Sequence, residues 1–455
     1  MRIEKGIFRE YDIRGIVGKD LSEEVAELVG RAFGSVLAGR PEPRVAVGQD
    51  NRPSSPNLAV ALCRGLNAAG VDTLSVGTVP TPALYFAAIE LETDAGIQIT
   101  GSHNPPEYNG IKMVMDGAAI YGDAIQDLRA RIEAEDFASG SGEDRPVEIL
   151  DRYVEVIAER GRVDEPVRMV IDCGNGAGSV VAVRALRAAG IDVEGLYCES
   201  DGTFPNHHPD PTVDANVQDL IARVRETGAQ VGVGLDGDAD RLGAVTEKGD
   251  IIRGDHLLLL FAREDLAEHP GAEVIFDVKC SQALPRVIEA DGGVPVMWKT
   301  GHSLIKERMR ESGSPIAGEM SGHICFADNY FGTDDAIYAA ARLAGLVARS
   351  GRPLSELAGE IPSYPSTPEL RIDCPEDRKF EVVADAVRHY KATHEVIDID
   401  GARVLFDGGW ALIRASNTQP VIVARIEADT VERLREIADD VRTYLAGHGV
   451  TLPPV

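Results

Sequence analysis

Three related α/β domains with mixed sheets, followed by a smaller C-terminal α+β domain, form the fold class predicted for this 455-residue chain. Three observations predict it. One pattern occurs three times, in "RVAVGQD…LCRGLNAAGVDTLSVG", "VRMVIDCGNGAG…VRALRAAGIDVEGLY" and "AEVIFDVKCS…LPRVIEADGGVPVMW". Each copy reads as a buried strand, an amphipathic helix, a small-residue turn ending in Gly70, Gly190 or Gly292, and a second strand. The strands are short and rich in Val and Ile, as sheets covered on both faces require. Beyond Pro368 the pattern changes to "ELRIDC", a helix around "FEVVADAVRHY", alternating strands in "GARVLFDGGWALIRAS" and "PVIVARIEA", and a terminal helix.

Composition sets the boundaries. Residues 135–146, "EDFASGSGEDRP", have the Gly, Ser and charge content of a linker, and residues 361–368, "IPSYPSTP", carry prolines that forbid a continuous helix or central strand. Between them a break falls near Asp250, where "VGVGLDGDADRLGAVTEKGD" closes one unit and "HLLLLFARE" opens a fresh helix. The expected domains are therefore 1–148, 149–250, 251–364 and 365–455. Near the N-terminus, Asp20 and Glu23 are expected to form a capping box for a helix whose core face is Val25, Leu28, Val29, Ala32 and Val36.

Charge and cysteine usage exclude several function classes. With 74 acidic against 46 basic residues and a formal net charge of −28, the chain has no general attraction to nucleic acid or anionic membrane. It has no run of 18 or more apolar residues and no signal-peptide core, so a soluble, cytoplasmic protein is expected. The six cysteines have no C-x-x-C spacing, which suggests reduced, mostly buried thiols rather than zinc or disulfides.

Four short stretches carry chemistry. In "VGVGLDGDADRLGAV" a strand runs into Asp236, Asp238 and Asp240, and a period of two would project the three carboxylates to one side of a near-extended chain. Crowded anions need a cation, and all-oxygen ligands favour Mg²⁺, Mn²⁺ or Ca²⁺. An EF-hand loop fails because Arg241 stands where Gly is required. An aspartyl-phosphate phosphatase with Asp236 as nucleophile leaves Ser102 unexplained. In "ITGSHNPPEYNGIKMV", Ser102 sits on a stiff loop beside Gly101 and His103, with Lys112 on the following strand. There is no G-x-S-x-G elbow, and a hydroxyl next to a three-carboxylate metal site suggests a serine that carries phosphate. "GEMSGHICF" sets Glu319, Ser321 and His323 at alternate positions, suited to sugar hydroxyls or else a polar turn. "RASNTQP" places Arg414, Ser416, Asn417 and Thr418 after a strand, donors apt for a phosphate dianion. "CGNGAGS" lacks the last glycine of a dinucleotide loop and is set aside.

Together "TGSHNPPEYNGIK", "DGDADR", "GEMSGH" and "RASNT", in this order, resemble the four signature loops of the α-D-phosphohexomutases. "FREYDIRG", "DVKCS" and "KTGHS" are similar to the phosphomannomutase/phosphoglucomutase branch. The resemblance implies four domains around a central cleft, with Ser102 as the phosphoserine. It implies Mg²⁺ on Asp236, Asp238, Asp240 and an oxygen of that phosphoserine. Arg241 and His103 would contact the phosphoryl group, and Lys112, His302 and Arg14 would be candidates for proton transfer. Lys279 would join Glu319, Ser321 and His323 at the sugar, the Arg414 loop would grip the unreactive phosphate, and Tyr11 would lie near the same cleft. The implied partners are small sugar phosphates, with a hexose 1,6-bisphosphate as intermediate and activator and no oligomeric state specified. Met320, Asn417 and Gln419 favour mannose and glucose phosphates over glucosamine phosphate, which stays an alternative beside a non-catalytic sugar-phosphate binding protein and a phosphatase.

Overall fold

The computed structural model describes residues 3–417 and 419–455. Its first three sheets share one topology. In each, three strands lie parallel in the order second, first, third, and a fourth returns antiparallel to the third. In the first sheet these are Asp72–Thr78, Arg44–Gln49, Ala95–Ile99 and Tyr108–Met115. In the second they are Asp192–Leu196, Arg168–Asp172, Val231–Leu235 and Leu242–Thr246. In the third they are Val294–Trp298, Glu273–Asp277, Ile316–Gly318 and Ile324–Phe326. The repeat in the sequence is thus a repeat of sheet order, and Gly70, Gly190 and Gly292 all take positive φ at the predicted turns. The fourth sheet is fully antiparallel, ordered Leu370–Asp373, Val421–Ala428, Gly409–Ala415, Ala402–Phe406 and Glu395–Ile397, and is packed by helices Lys379–Lys391 and Val431–Gly447.

Two local expectations need correction. The first long helix, Glu23–Leu37, is capped by Ser22, whose side chain accepts from the Val25 amide at 3.3 Å, while Asp20 instead accepts from the Ile16 amide. Its buried stripe runs through Val25, Ala26, Val29, Ala32, Phe33 and Leu37, which turns Val36 outward at 43% exposure. Residues 135–146 join the first and second units, as the linker reading expects. They lie along the first sheet, and Asp144–Pro146 adds a parallel edge strand to Asp72–Thr78. The amides of Gly140 and Gly142 bond to Ala68 and Asn67, and the Asp144 carboxylate accepts from Thr73 and Ser75 at 2.7 and 2.6 Å.

The second and third sheets share one continuous apolar core, filled by helices Gly254–Glu268 and Ala336–Ser350 and joined by Leu84 and Phe86 of the first unit. This shared core holds the hairpin loops of different sheets in fixed register. The fourth sheet is clamped to the third by two buried arginines. Arg403 stacks 3.7 Å from the Trp410 ring and donates to the carbonyls of Val278 and Cys280 at 2.6 and 2.8 Å, while Arg425 donates to the Lys279 carbonyl. All six cysteines are free and five are buried.

Candidate active site

Each of the four signature loops is a hairpin turn between antiparallel strands, whereas Lys279 and His302 lie where strands lead into helices. Residues 100–107, 236–241 and 319–323 each join the third and fourth strands of their sheets, and the Arg414 loop joins Gly409–Ala415 to Val421–Ala428. Repetition of one sheet order therefore brings three chemically different loops to equivalent positions.

The first two loops touch. Ser102 is 2% exposed, and its hydroxyl donates to Asp236 Oδ2 at 3.1 Å and lies 3.1 Å from His103 Nδ1. The close approach depends on Gly237, where a Cβ would sit 2.3 Å from the Ser102 carbonyl oxygen. Ser102 is held at φ +50°, a conformation that costs a non-glycine residue about 1–3 kcal/mol. Arg52 fixes it there. The buried guanidinium donates to the carbonyls of Ser102, Asn104, Pro105 and Tyr108 at 2.6–3.1 Å and is anchored by Asp50 at 3.0 Å. Arg52 and Asp50 escaped the sequence reading. Their only signal is a polar run, "QDNRPSS", at the C-terminal end of a buried strand.

Asp236, Asp238 and Asp240 each present an oxygen within 4.8 Å of the others, and all are at most 1% exposed. The reason differs from the one expected. The chain is not extended there; a turn closed by the Ala239 amide on the Asp236 carbonyl, with Ala239 at φ +61°, folds the carboxylates together. At that spacing and an effective dielectric of about 20, each pair repels by at least about 3 kcal/mol, so three pairs rival the whole stability of a domain. Lys112 offsets part of this. Its ammonium donates to Asp238 and Asp240 at 2.8 and 2.5 Å, which holds its pKa well above the usual lysine value and leaves it a cation. Thr81, also unforeseen, donates to Asp238 at 2.6 Å. Burial and the neighbouring aspartates push the Asp236 carboxyl up, whereas Asp238 stays well below the carboxylate range despite its burial, because Lys112 and Thr81 hold it ionised. Asp238 Oδ1 and Asp240 Oδ1 are buried without a hydrogen-bond partner. Three carboxylates with orphaned oxygens and no nitrogen or sulfur donor fit a hard divalent cation such as Mg²⁺.

The third loop meets the second. Arg241 Nε lies 2.9 Å from His323 Nε2 and 4.0 Å from Asp236, and the Leu242 amide donates to the Gly322 carbonyl at 3.0 Å. Glu319, Ser321 and His323 lie on a turn in which the Gly322 amide bonds to the Glu319 carbonyl. Glu319 accepts from the Gly301 amide at 2.7 Å, and burial raises its pKa. Ser321 is half-buried at the crest. His302 stacks on His323 with ring centroids 5.1 Å apart, and burial beside Lys306 lowers its pKa to about 4. Arg14 donates to Asn104 at 3.0 Å and pairs with Asp12.

The fourth loop closes the assembly. Tyr11 donates to the Thr300 carbonyl at 2.6 Å and accepts from Asn417 Nδ2 at 2.7 Å, so one hydroxyl joins the first, third and fourth units. Arg414 pairs with Asp400 at 3.1 Å, and Asp400 also accepts from the Thr300 amide. Lys279 pairs with Glu369 at 3.2 Å. The Ser416 hydroxyl accepts from the Gln419 amide, and Thr418 lies outside the described residues. Asp400 and Glu369 were not foreseen, since acids are common throughout this chain.

The four signature loops thus form one connected constellation, and the chain matches known proteins along nearly all of it. The four domain profiles described as phosphoglucomutase/phosphomannomutase α/β/α domains I, II and III and C-terminal domain match residues 5–139, 151–249, 253–364 and 369–443. The chain belongs to the phosphoglucomutase/phosphomannomutase family. A phosphomannomutase/phosphoglucomutase of Pseudomonas aeruginosa is 48% identical over 448 residues, covering 98% of this chain and 97% of that protein. A phosphoglucomutase of Neisseria meningitidis serogroup A is 44% identical over 448 residues, covering 97% of each. The crystal structure of a phosphoglucomutase/phosphomannomutase family protein from Burkholderia thailandensis superposes with a TM-score of 0.93 at 45% identity, covering all of both chains. No helix of the described residues is long and apolar enough to cross a membrane.

Proposed function

We propose that this chain is an intramolecular phosphotransferase of the cytoplasm that interconverts hexose 1-phosphates and hexose 6-phosphates, with mannose and glucose phosphates as substrates. One observation carries the reading: the Ser102 hydroxyl bonds at 3.1 Å to a member of a buried three-aspartate cluster that needs a cation.

The active form carries a phosphoryl group on Ser102. Asp236, Asp238 and Asp240, with an oxygen of that phosphoserine, would hold Mg²⁺, which supplies charge neutralisation when bound. Transfer breaks the Ser102 Oγ–P bond as a bond forms from phosphorus to a hydroxyl oxygen of the sugar monophosphate, whose proton leaves to a base. Reorientation of the resulting 1,6-bisphosphate presents its other phosphate, and the same exchange in reverse returns a phosphoryl group to Ser102. A hexose 1,6-bisphosphate added from outside serves as activator by the same return step.

The loose transition state of phosphoryl transfer asks for fixed positive charge, and Arg241 beside Asp236, Lys112 on Asp238 and Asp240, and Arg14 on Asn104 of the serine loop would supply it, with His103 beside the Ser102 hydroxyl. Lys112 keeps its proton and acts as a cation, whereas His302, unprotonated at neutral pH, suits the role of base. Lys279, Glu319, Ser321 and His323 would bind sugar hydroxyls. Arg414, Ser416, Asn417 and Thr418, with Tyr11, would grip the phosphate that is not reacting.

Substituting Ser102→Ala tests the reading. Conversion of mannose 1-phosphate to mannose 6-phosphate should fall below detection, and the intact mass should lose the fraction heavier by one phosphoryl group. Full turnover by the variant would reject it.

A further inference from the structure

Asp334, in the short strand Thr333–Asp334, is completely buried and lies behind the third loop. Its Oδ1 accepts from Lys306 Nζ at 2.7 Å, which anchors the carboxylate and keeps it ionised. Its Oδ2 faces two imidazoles, 2.9 Å from His323 Nδ1 and 3.5 Å from His302 Nδ1. The rings lie within 15° of parallel, so both Nδ1 atoms turn toward one oxygen, and neither reaches a hydrogen bond of full geometry with it; His323 Nδ1 also lies 3.6 Å from Asp240 Oδ1, farther than from Asp334.

The proton on His323 can be assigned by elimination. A guanidinium only donates, so the 2.9 Å contact from Arg241 Nε requires a bare Nε2 on His323. A neutral ring then carries its proton on Nδ1, facing Asp334. His302 has the same carboxylate at Nδ1, which leaves its Nε2, on the opposite edge of the ring, bare and able to accept a proton. Arg241 in turn lies 4.0 Å from Asp236, the residue that holds the Ser102 hydroxyl. A structural ion pair with Lys306 would need only Oδ1; the second oxygen serves the histidines.

We propose that Asp334 is a positioning residue for phosphoryl transfer: its carboxylate fixes His302 and His323 as Nδ1–H tautomers and, through His323, aims Arg241 at the reacting serine. The kinetic part rests on the mutase reading, whereas the tautomers do not. An asparagine at this position would present an amide that can donate, which favours a bare Nδ1 and puts a proton on Nε2 against Arg241.

The test is imidazole ¹⁵N NMR of the histidine-labelled full chain at neutral pH, with His302 and His323 assigned by His302→Gln and His323→Gln. Both rings should show the Nδ1–H pattern in the wild type, and Asp334→Asn should introduce the Nε2–H form at His323. Turnover of mannose 1-phosphate by Asp334→Asn should fall on the order of 10²-fold in kcat, with KM changed by less than about threefold, because the lost contacts matter at the transition state. A wild-type His323 protonated on Nε2 would overturn the proposal, and so would a folded Asp334→Asn variant with wild-type kcat. The wild-type spectrum decides the assignment even if Asp334→Asn fails to fold. Absence of wild-type turnover would instead count against the mutase reading.

Discussion

The two ends of the loop constellation solve opposite electrostatic problems. At the Ser102 end the charges are buried, pressed together and neutralised from within: Lys112 lies between two aspartates and Arg241 between His323 and Asp236. At the Arg414 end each cation has one short carboxylate contact, Arg414 with Asp400 within the fourth unit and Lys279 with Glu369 across two units, with Asp277 at 3.7 Å from Lys279. A centre that stabilises developing charge must be ordered before the substrate arrives, since reorganisation during reaction costs rate. A grip that takes a phosphate, releases it and takes its mirror must exchange partners cheaply. The difference places rigidity where bonds change and replaceable pairing where the substrate is held.

The sharpest way to break this comparison is Lys112→Met. It leaves three buried carboxylates without their internal cation, and losing one partner of a buried ion pair costs about 3–5 kcal/mol. Thermal melting should show a large loss of stability in chelator, largely restored by millimolar Mg²⁺, which can take the same charge. A melt that is unchanged in chelator would mean that Lys112 is no counter-ion.

Arg414→Ala probes the other end. The expected result is a fall in kcat/KM on the order of 10²-fold, carried mainly by KM, because a lost charge-assisted contact to phosphate weakens binding in ground and transition states alike. The loss of melting temperature should be smaller than for Lys112→Met, since Asp400 is left partly exposed and keeps its bond from the Thr300 amide. An effect confined to kcat would place Arg414 at the reactive centre and erase the distinction between the two ends.

A smaller effect separates them by pH. His302 titrates at about 4 in the native state against about 6.5 in an unfolded chain. Between those values the unfolded state binds the extra proton, so this contribution is complete above about pH 6.5 and is lost as pH falls toward 4. Comparing unfolding free energies at pH 7.5 and 4.5, His302→Gln should lose about 1–3 kcal/mol less than wild type. Equal losses would mean that the His302 ring stays accessible to protons in the native state.

Much of this was legible in the sequence, for identifiable reasons. The repeated strand–helix–Gly–strand units appeared because hydrophobic period and turn chemistry are local. The four signature loops stood out because their residue types are unusual together. What escaped was whatever acts through tertiary contact. Asp334 sits in "FGTDDA" with no pattern around it, and its role exists only because a sheet edge brings it against two histidines from elsewhere. Arg52 looks like a surface loop residue until it is seen caging four carbonyls. Period-two reasoning reached the right aspartates through the wrong geometry, since alternate residues can also meet across a tight turn. The misplaced cap at Asp20 arose in the same way: two acceptors lay close in sequence, and only the chain path decided for Ser22.

The mildest prediction tests whether the gripping end is assembled by contacts between units. The Tyr11 hydroxyl gives its proton to the Thr300 carbonyl and takes one from Asn417, and Thr300 also binds Asp400, the partner of Arg414. Tyr11→Phe removes one oxygen and leaves the ring packed against Gly301. A net loss near 1 kcal/mol is expected for such a hydrogen bond, which in a chain of this size lowers the melting temperature by about 2 °C or less. The kinetic change should be an increase of a few-fold in KM for the sugar monophosphate, with kcat nearly constant, because the link orders the phosphate grip and not the serine. If KM stays at the wild-type value, the grip is preformed within the fourth unit alone. A grip that depends on contacts from the first and third units would then have to be given up.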